Sequence, residues 1–287
     1  TVVIGRHFDA ESFLASVDRD KITTAFVVPT QLNRIANLPG FVKRRYDVSS
    51  MRALITGAAP CHHSVKVKTV ELFGPDCFYE FYGATETGIN TLLGPEDQLR
   101  KPGSCGRALA GNEIRIIGEQ GEEVPTGEVG QLYVRNKMLI TGYYKNREAT
   151  EESLLEGFFS VGDMARIDEE GFIYIVDRKK DMVISGGVNI YPAEVESVLR
   201  THPAVYDCVV IGVPDEEWGE SLRAIVVLRP GQETSAETLS DFCRERLADY
   251  KVPRAFDFID EIPHNPSGKP LKRELRDRFW KDRDRKI

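Results

Sequence analysis

Strands and helices alternate through the first third of the chain, and this alternation constrains the fold more than any other feature. Apolar runs at residues 23–28, 52–56 and 77–81 are typical of buried strands, and the segments 30–37 and 65–73 between them have helical character. A strand–helix–strand–helix–strand order predicts a parallel sheet with covering helices. We therefore predict an α/β fold built on part of a doubly wound parallel sheet.

The pattern changes twice after this first part, which we bound at residues 1–93. From Gly94 onward, glycines and prolines separate short strands, so residues 94–177 are predicted to form a small antiparallel or β-barrel-like subdomain. Residues 178–287 are predicted to form a mobile C-terminal α+β domain. Its predicted elements are a helix at 192–200, strands at 205–211 and 223–228, and a helix at 235–249 with Ser235 as N-cap. The fully charged run 177–181 is predicted to be an exposed hinge.

Composition argues against several classes of protein. The 38 basic and 45 acidic side chains give a formal net charge of −7, which argues against a general nucleic-acid binder. No apolar run reaches the roughly 18–20 residues that cross a bilayer, so no transmembrane segment is predicted. The cysteines number five and include no C-x-x-C pair, which fits reduced thiols in a cytoplasmic protein better than a disulfide framework.

The start of the chain has the pattern of a strand inside a fold. The first residue is Thr1 rather than methionine, and the apolar residues 2–4 precede Gly5. This pattern predicts that the chain is a piece whose true start lies upstream.

A string of chemically useful residues, Tyr82-Gly83-Ala84-Thr85-Glu86, follows the third predicted strand. Ligands of open α/β sheets bind beyond the carboxyl ends of the strands. The string supplies an aromatic face, a glycine that allows close approach, a hydroxyl and a carboxylate, which suit adenine, phosphate and a divalent cation. Taken alone, it fits an ordinary strand-to-loop turn equally well. The small residues Gly57, Ala58 and Ala59 end the second strand, where they could wall a planar ring or simply form a tight turn.

Three further motifs are individually weak. Asp163 follows Gly162 and could accept hydrogen bonds from vicinal ribose hydroxyls, although a turn aspartate has the same pattern. The pair Gly186-Gly187 would let a thin ligand approach closely or would form a hairpin turn. Lys269 follows Pro266-Ser267-Gly268 and could bring a positive charge to a carboxylate or phosphate, whereas most lysines are merely surface residues.

The order of these motifs closely resembles the adenylate-forming superfamily, which includes acyl-CoA synthetases, luciferases and the adenylation domains of peptide synthetases. The variants Tyr-Gly-Ala-Thr-Glu, Asp-Arg-Lys-Lys-Asp and Pro-Ser-Gly-Lys are most similar to those of fatty-acid or aryl-acid CoA ligases. The resemblance covers essentially the whole chain. It implies a two-step reaction of a small carboxylic acid with ATP, Mg²⁺ and coenzyme A, in which an acyl-adenylate forms and coenzyme A then displaces AMP.

The resemblance also implies roles for the residues of the larger domain. Tyr82 would stack on adenine with Gly83 beside it; Gly57, Ala58 and Ala59 would line the other side; Thr85 would bind the α-phosphate; and Glu86 would hold Mg²⁺. Asp163 would bind the ribose hydroxyls.

The hinge and the smaller domain receive roles in the same way. Arg178 would assist at the ribose or phosphate, and Lys180 occupies the pivot position. Lys269 would bridge the carboxylate and the α-phosphate in the first step only. For the second step, the residues implied to contact coenzyme A are Ser185, Gly186, Gly187, Trp218, Tyr250 and Arg254. Trp218 and Tyr250 fit partly exposed packing residues equally well.

The chain departs from the superfamily in one respect. The Ser/Thr/Gly-rich loop that holds the β- and γ-phosphates, and the first half of the large domain, are not in this sequence. We therefore expect the C-terminal half of a ligase, inactive or nearly so by itself, with exposed sheet edge that favours aggregation or a homodimer. Two alternatives stay open: an enzyme that loads a carrier protein, and a non-catalytic nucleotide-binding module.

Overall fold

The computed structural model describes residues 1–265 and 269–281, which fall into two compact units. Unit 1 contains residues 1–161 and 165–175, and unit 2 contains residues 162–164 and the chain from 176 onward. Ser267 and Gly268 of the lysine motif lie outside the described residues. No helix in the described ranges is long and apolar enough to cross a membrane.

The first sheet of unit 1 contains the predicted strand–helix alternation. Its elements are α1 (Ala10–Asp20), β1 (Thr24–Phe26), α2 (Pro29–Ala36), α3 (Gly40–Lys43), β2 (Ala53–Thr56), α4 (His63–Phe73), β3 (Phe78–Ala84), β4 (Gly88–Leu93) and β5 (Arg107–Ala108). The strand order is β1-β2-β3-β4-β5, and β1, β2 and β3 run parallel. β4 and β5 extend the sheet with antiparallel pairing. The predicted parallel sheet is therefore confirmed.

The core of this first sheet joins its strands to the helices that cover them. Leu14 of α1, Leu32 of α2, Leu54 of β2 and Phe78 of β3 are all at most 1% exposed and belong to one cluster. Helix α1 escaped prediction, although Asp9 caps it by accepting a hydrogen bond from the Ser12 N–H at 2.8 Å.

The predicted strand at residues 2–4 is wrong. Val2 and Ile4 are 83% and 86% exposed, and the segment has no regular structure. A strand requires a neighbour that pairs with its backbone. No strand in the described part of the chain pairs with these residues.

A second sheet forms the β-rich part of the chain. Its elements are β6 (Glu113–Ile117), β7 (Gly130–Arg135), α5 (Arg147–Glu152), β8 (Leu154–Leu155), β9 (Phe158–Phe159), β10 (Asp163–Ile167) and β11 (Ile173–Arg178). The strand order is β11-β10-β7-β9-β8, with β6 also paired to β7. The sheet stays open, so the predicted β-barrel-like subdomain does not close into a barrel within the described residues.

Unit 2 is an α+β structure, as predicted. Its remaining elements are β12 (Val183–Ser185), β13 (Val188–Ile190), α6 (Pro192–Leu199), β14 (Val205–Asp215), β15 (Gly219–Leu228), α7 (Ala236–Arg244), β16 (Ala255–Phe258) and α8 (Lys272–Arg276). The sheet order is β13-β12-β15-β14, with β16 paired parallel to β15. Alternate residues of β14 pack into separate apolar clusters, because neighbouring side chains of a strand point to opposite faces.

Two predictions in unit 2 need correction. The helix predicted over 235–249 starts at the Ser235 N-cap but ends at Arg244, where the N–H groups of Arg246 and Leu247 share the Cys243 carbonyl. The run 177–181 is not exposed throughout, because Asp177 is only 8% exposed. Its carboxylate accepts hydrogen bonds from the N–H groups of Arg178 and Ala193 at 2.8 and 2.9 Å, and burial raises the pKa of this carboxyl.

Candidate active site

The string Tyr82-Gly83-Ala84-Thr85-Glu86 spans the end of β3 and the turn into β4. Strand β3 continues to Ala84, so Tyr82 and Gly83 are strand residues paired with β4. A Cβ atom at Gly83 would lie 2.2 Å from the Gly88 carbonyl oxygen. The neighbouring strand therefore requires this glycine for its own packing, and the predicted role of Gly83 beside a ligand stays a prediction. Thr85 is exposed and Glu86 is half-buried.

The turn after Ala84 is held by residues that the sequence did not single out. The Tyr143 hydroxyl donates to Glu86 Oε1 at 3.1 Å, and the Ile140 N–H donates to the Glu86 carbonyl at 2.9 Å. Asn136 Nδ2 donates to the Thr87 carbonyl at 2.8 Å. Burial has the larger effect in raising the pKa of Tyr143, and the hydrogen bond to Glu86 raises it further. The hydroxyl therefore keeps its proton at neutral pH. The Glu86 side chain is thus oriented before any ligand binds.

The small-residue loop lies beside this strand. Thr56 at the end of β2 is the register partner of Glu80 in β3, and both strands run in the same direction. Gly57 is buried, and a Cβ atom there would lie 2.9 Å from the Phe81 ring, so only glycine allows this close packing. Ala58 is exposed and has a φ of +70°, in the left-handed region that L residues disfavour. The structure therefore brings Gly57, Ala58 and Ala59 to the same sheet edge as Tyr82.

Asp163 and Arg178 meet within unit 2. Arg178 Nε lies 3.3 Å from Asp163 Oδ1, and the aspartate is only 6% exposed whereas the arginine is exposed. The Lys179 N–H donates to the Gly162 carbonyl at 2.8 Å, which ties the two chain segments together. The next residue, Lys180, has an exposed side chain, and its carbonyl accepts a hydrogen bond from Arg276 Nη1 at 3.2 Å.

A second group in unit 2 surrounds the paired glycines. Gly186 and Gly187 are the two-residue turn of the β12–β13 hairpin, with φ values of +58° and +81°, and Ser185 is the last residue of β12. The structure therefore confirms that the two glycines form a hairpin turn, and their role beside a ligand stays a prediction. The Trp218 ring packs directly against the turn. It lies so close that a Cβ atom at Gly186 would be 2.6 Å from the ring. The guanidinium of Arg254 lies over the Trp218 ring, with its Cζ atom 5.1 Å from the ring centroid.

Tyr250 and Lys269 complete the set of predicted residues. Tyr250 lies in a short 3₁₀ helix, Asp249–Lys251, and is 53% exposed. Lys269 is exposed. Its N–H donates to Asn265 Oδ1 and its carbonyl accepts the Asn265 N–H, both at 2.9 Å. Neighbouring His264 and Pro270 form a β-bridge. These contacts hold the backbone of this lysine within unit 2.

Matches to known families cover most of the chain. The model of the AMP-binding enzyme family matches residues 1–144. The model of the AMP-binding enzyme C-terminal domain matches residues 194–269.

Similar proteins include several ligases. A fatty acid–[acyl-carrier-protein] ligase of Streptomyces coeruleorubidus is 38% identical, over 100% of this chain and 56% of its own length. A feruloyl-CoA synthase of an Amycolatopsis species is 41% identical over 97% of this chain and 56% of its own length. The structure of an amide bond synthetase from Marinactinospora thermotolerans superposes with a TM-score of 0.88 at 34% identity, over 95% of this chain and 56% of that one. The chain thus spans just over half the length of the curated relatives it matches.

Proposed function

Because the chain belongs to the AMP-binding enzyme family, we propose that the whole protein is an ATP-dependent acid–CoA ligase. The observation that carries this proposal is the sheet edge where β3, which ends two residues after Tyr82, runs parallel to β2, and where the loop of Gly57, Ala58 and Ala59 leaves β2. An aromatic ring opposite a thin backbone wall suits a purine base. The oriented carboxylate of Glu86 follows four residues after this ring, where the phosphates of a nucleotide would lie.

In the proposed first step, a carboxylate oxygen of the acid attacks the α-phosphorus of ATP. The new C–O–P linkage forms as the bond to pyrophosphate breaks. Thr85 donates a hydrogen bond to the α-phosphate, Asp163 accepts from the ribose hydroxyls, and Arg178 assists at the ribose or phosphate. Lys269 supplies positive charge to the carboxylate oxygen and the α-phosphate oxygens as the new O–P bond forms, where charge stabilisation is most effective.

Glu86 is the residue proposed to hold Mg²⁺. Its half-buried carboxylate presents hard oxygen ligands, which this cation prefers, and Tyr143 fixes the orientation. When bound, the cation would neutralise phosphate charge and polarise the reacting phosphorus.

In the proposed second step, the thiolate of coenzyme A attacks the acyl carbon and AMP leaves with the electrons of the C–O bond. Ser185, Gly186 and Gly187 would flank the pantetheine arm, and Trp218, Tyr250 and Arg254 would contact the nucleotide end. Lys180 would be the pivot between the steps. The boundaries 1–93, 94–177 and 178–287 remain our proposed domains.

One observation favours a second candidate acceptor. The relative from Streptomyces coeruleorubidus is a fatty acid–[acyl-carrier-protein] ligase. A carrier protein presents the same pantetheine thiol without the adenine nucleotide of coenzyme A. The two acceptors therefore differ in whether Trp218, Tyr250 and Arg254 bind a nucleotide. The homodimer and the cytoplasmic location remain predictions.

The direct test of the proposal is exchange of labelled pyrophosphate into ATP by the complete protein. Exchange that requires a carboxylic acid supports the adenylation step. Its absence across fatty and aryl acids would favour the non-catalytic nucleotide-binding alternative.

Replacing Tyr143 with phenylalanine is expected to raise the Mg²⁺ concentration for half-maximal pyrophosphate exchange roughly tenfold. The change removes one hydrogen bond to a charged acceptor, worth about 1.5–3 kcal/mol. Tyr144→Phe is the matched control, because its side chain is 87% exposed. An equal Mg²⁺ requirement in both variants would contradict the role of Tyr143.

Replacing Trp218 with alanine is expected to raise the KM for coenzyme A about tenfold and to leave pyrophosphate exchange unchanged, because the ring covers Gly186 in unit 2. Tyr206→Ala, at a 61% exposed position of the same unit, serves as the control. An unchanged KM for coenzyme A would contradict the proposed contact of Trp218 with coenzyme A.

A further inference from the structure

Unit 1 contains a buried ion pair that the proposed chemistry does not use. Lys66 Nζ contacts Glu80 Oε2, and the two side chains are only 1% and 7% exposed. Lysine and glutamate are almost never fully buried unless they are paired. Lys66 lies in the first turns of α4, and Glu80 lies in β3, two residues before Tyr82.

The ion pair also connects β3 to the segment that follows β2. Lys66 lies in α4, which begins at His63, shortly after the small-residue loop. Cys61, separated from the loop by Pro60, is buried, and its backbone N–H lowers the pKa of the Glu80 carboxyl although burial raises it overall. The ion pair therefore joins strand β3 to the helix that follows the loop.

The loop needs such an anchor because its own conformation is unfavourable. Ala58 lies in the left-handed region, which is strained for an L residue and persists only where the surroundings hold it. At its start, Gly57 packs directly on Phe81. After it, the ion pair of Lys66 with Glu80 joins the start of α4 to β3. Strand β3 thus holds both sides of the loop, at the residues that immediately precede Tyr82.

We propose that Glu80, neutralised by Lys66, is a positioning residue that sets the spacing between Tyr82 and the loop of Gly57, Ala58 and Ala59, and so controls the affinity for the purine base. This inference rests on the proposed function, since it concerns the same nucleotide site. Glu80 acts through the two walls of the site and touches no ligand. Lys66 compensates the buried charge and joins α4 to β3.

Three variants of the complete protein test the proposal. Glu80→Gln keeps the side-chain shape but leaves Lys66 buried without its charged partner, so its unfolding midpoint should fall. The double variant Lys66→Met with Glu80→Leu removes both charges and the ion pair, and fills the space with apolar groups, which is often neutral for stability. Glu113→Gln is the control, because Glu113 pairs with Arg135 on the surface of unit 1. The measurements are the Kd for AMP by calorimetry, the KM for the carboxylic acid, and the thermal unfolding midpoint.

We expect Glu80→Gln and the double variant to weaken AMP binding about tenfold, because small displacements of positioned groups have large effects on binding and rate. The KM for the acid should change less than twofold. The double variant should unfold close to the wild-type midpoint and still bind AMP weakly, and Glu113→Gln should match the wild type in all three measurements.

Two outcomes would contradict the proposal in different ways. Wild-type affinity for AMP in the double variant would mean that the pair only stabilises the fold, which overturns this inference and leaves the proposed function intact. A wild-type protein that fails to bind AMP would overturn the proposed function and this inference with it.

Discussion

The Lys269→Ala variant of the complete protein should lose adenylation activity by roughly 10²–10³-fold, about 3–4 kcal/mol, while its thioester formation from supplied acyl-adenylate stays largely intact. The reason is that the proposed contact of this lysine exists only in the first step. Asn265 and the bridge of His264 to Pro270 hold the backbone of Lys269, so the substitution removes the side-chain charge and leaves these backbone contacts in place. The two half-reactions are measured separately, by pyrophosphate exchange and by release of AMP from the adenylate.

Lys281→Ala is the matched control for this experiment. Lys281 is an exposed lysine of the same unit and has no assigned role. A surface lysine contributes little, so this variant should keep both half-reactions. Equal losses in both half-reactions of Lys269→Ala would refute the step-specific role, and an unchanged rate would mean that Lys269 is merely a surface residue.

Replacing Lys66 with methionine is expected to destabilise the fold by about 3–5 kcal/mol, because it leaves the Glu80 carboxylate buried without its partner. The midpoint of thermal unfolding should fall by roughly 10 °C. The control is Lys68→Met, two residues further along α4, where the lysine is exposed and binds Asn37 Oδ1 at 2.7 Å. That variant should change stability by no more than about 0.5 kcal/mol.

The loss in Lys66→Met should also grow with pH. Burial already raises the pKa of Glu80 above 4.5, and Lys66 opposes this rise. Without Lys66 the pKa rises further, so the folded state holds the proton more tightly than the unfolded state does. Such a group destabilises the fold progressively as pH increases from 4.5 through the raised value. We expect a larger deficit at pH 8 than at pH 5, and an equal deficit at both would contradict a buried, unpaired carboxylate.

Elements of the fold that depend on a local sequence pattern could be predicted. The apolar runs around Leu54 and Phe78 predicted strands and Ser235 predicted a helix N-cap, and the structure confirms the parallel strands and the cap. The strand at residues 2–4 could not be assigned correctly, because pairing depends on a distant partner rather than on local hydrophobicity. Asp177 was misjudged for a similar reason, since its partner Ala193 is remote in sequence.

Only the candidate-site residues that belong to a recognisable sequence motif could be predicted. Tyr82, Glu86 and the small-residue loop could be chosen from their positions after strands. Tyr143 could not, because 57 residues separate it from the Glu86 carboxylate that it orients. The sole signal was the Gly142-Tyr143-Tyr144 string. Lys66 and Glu80 escaped prediction because a charged residue in an amphipathic helix or strand has the pattern of a surface residue until its partner is known.

The measurement that tests the central claim most directly is AMP formation by the protein of the full open reading frame. It is supplied with ATP, Mg²⁺ and a panel of fatty and aryl acids, with and without coenzyme A, and with hydroxylamine to trap any adenylate. We predict AMP release that requires both coenzyme A and one class of acid. If no acid gave either trapped adenylate or released AMP, that result would contradict the claim that this protein activates carboxylic acids.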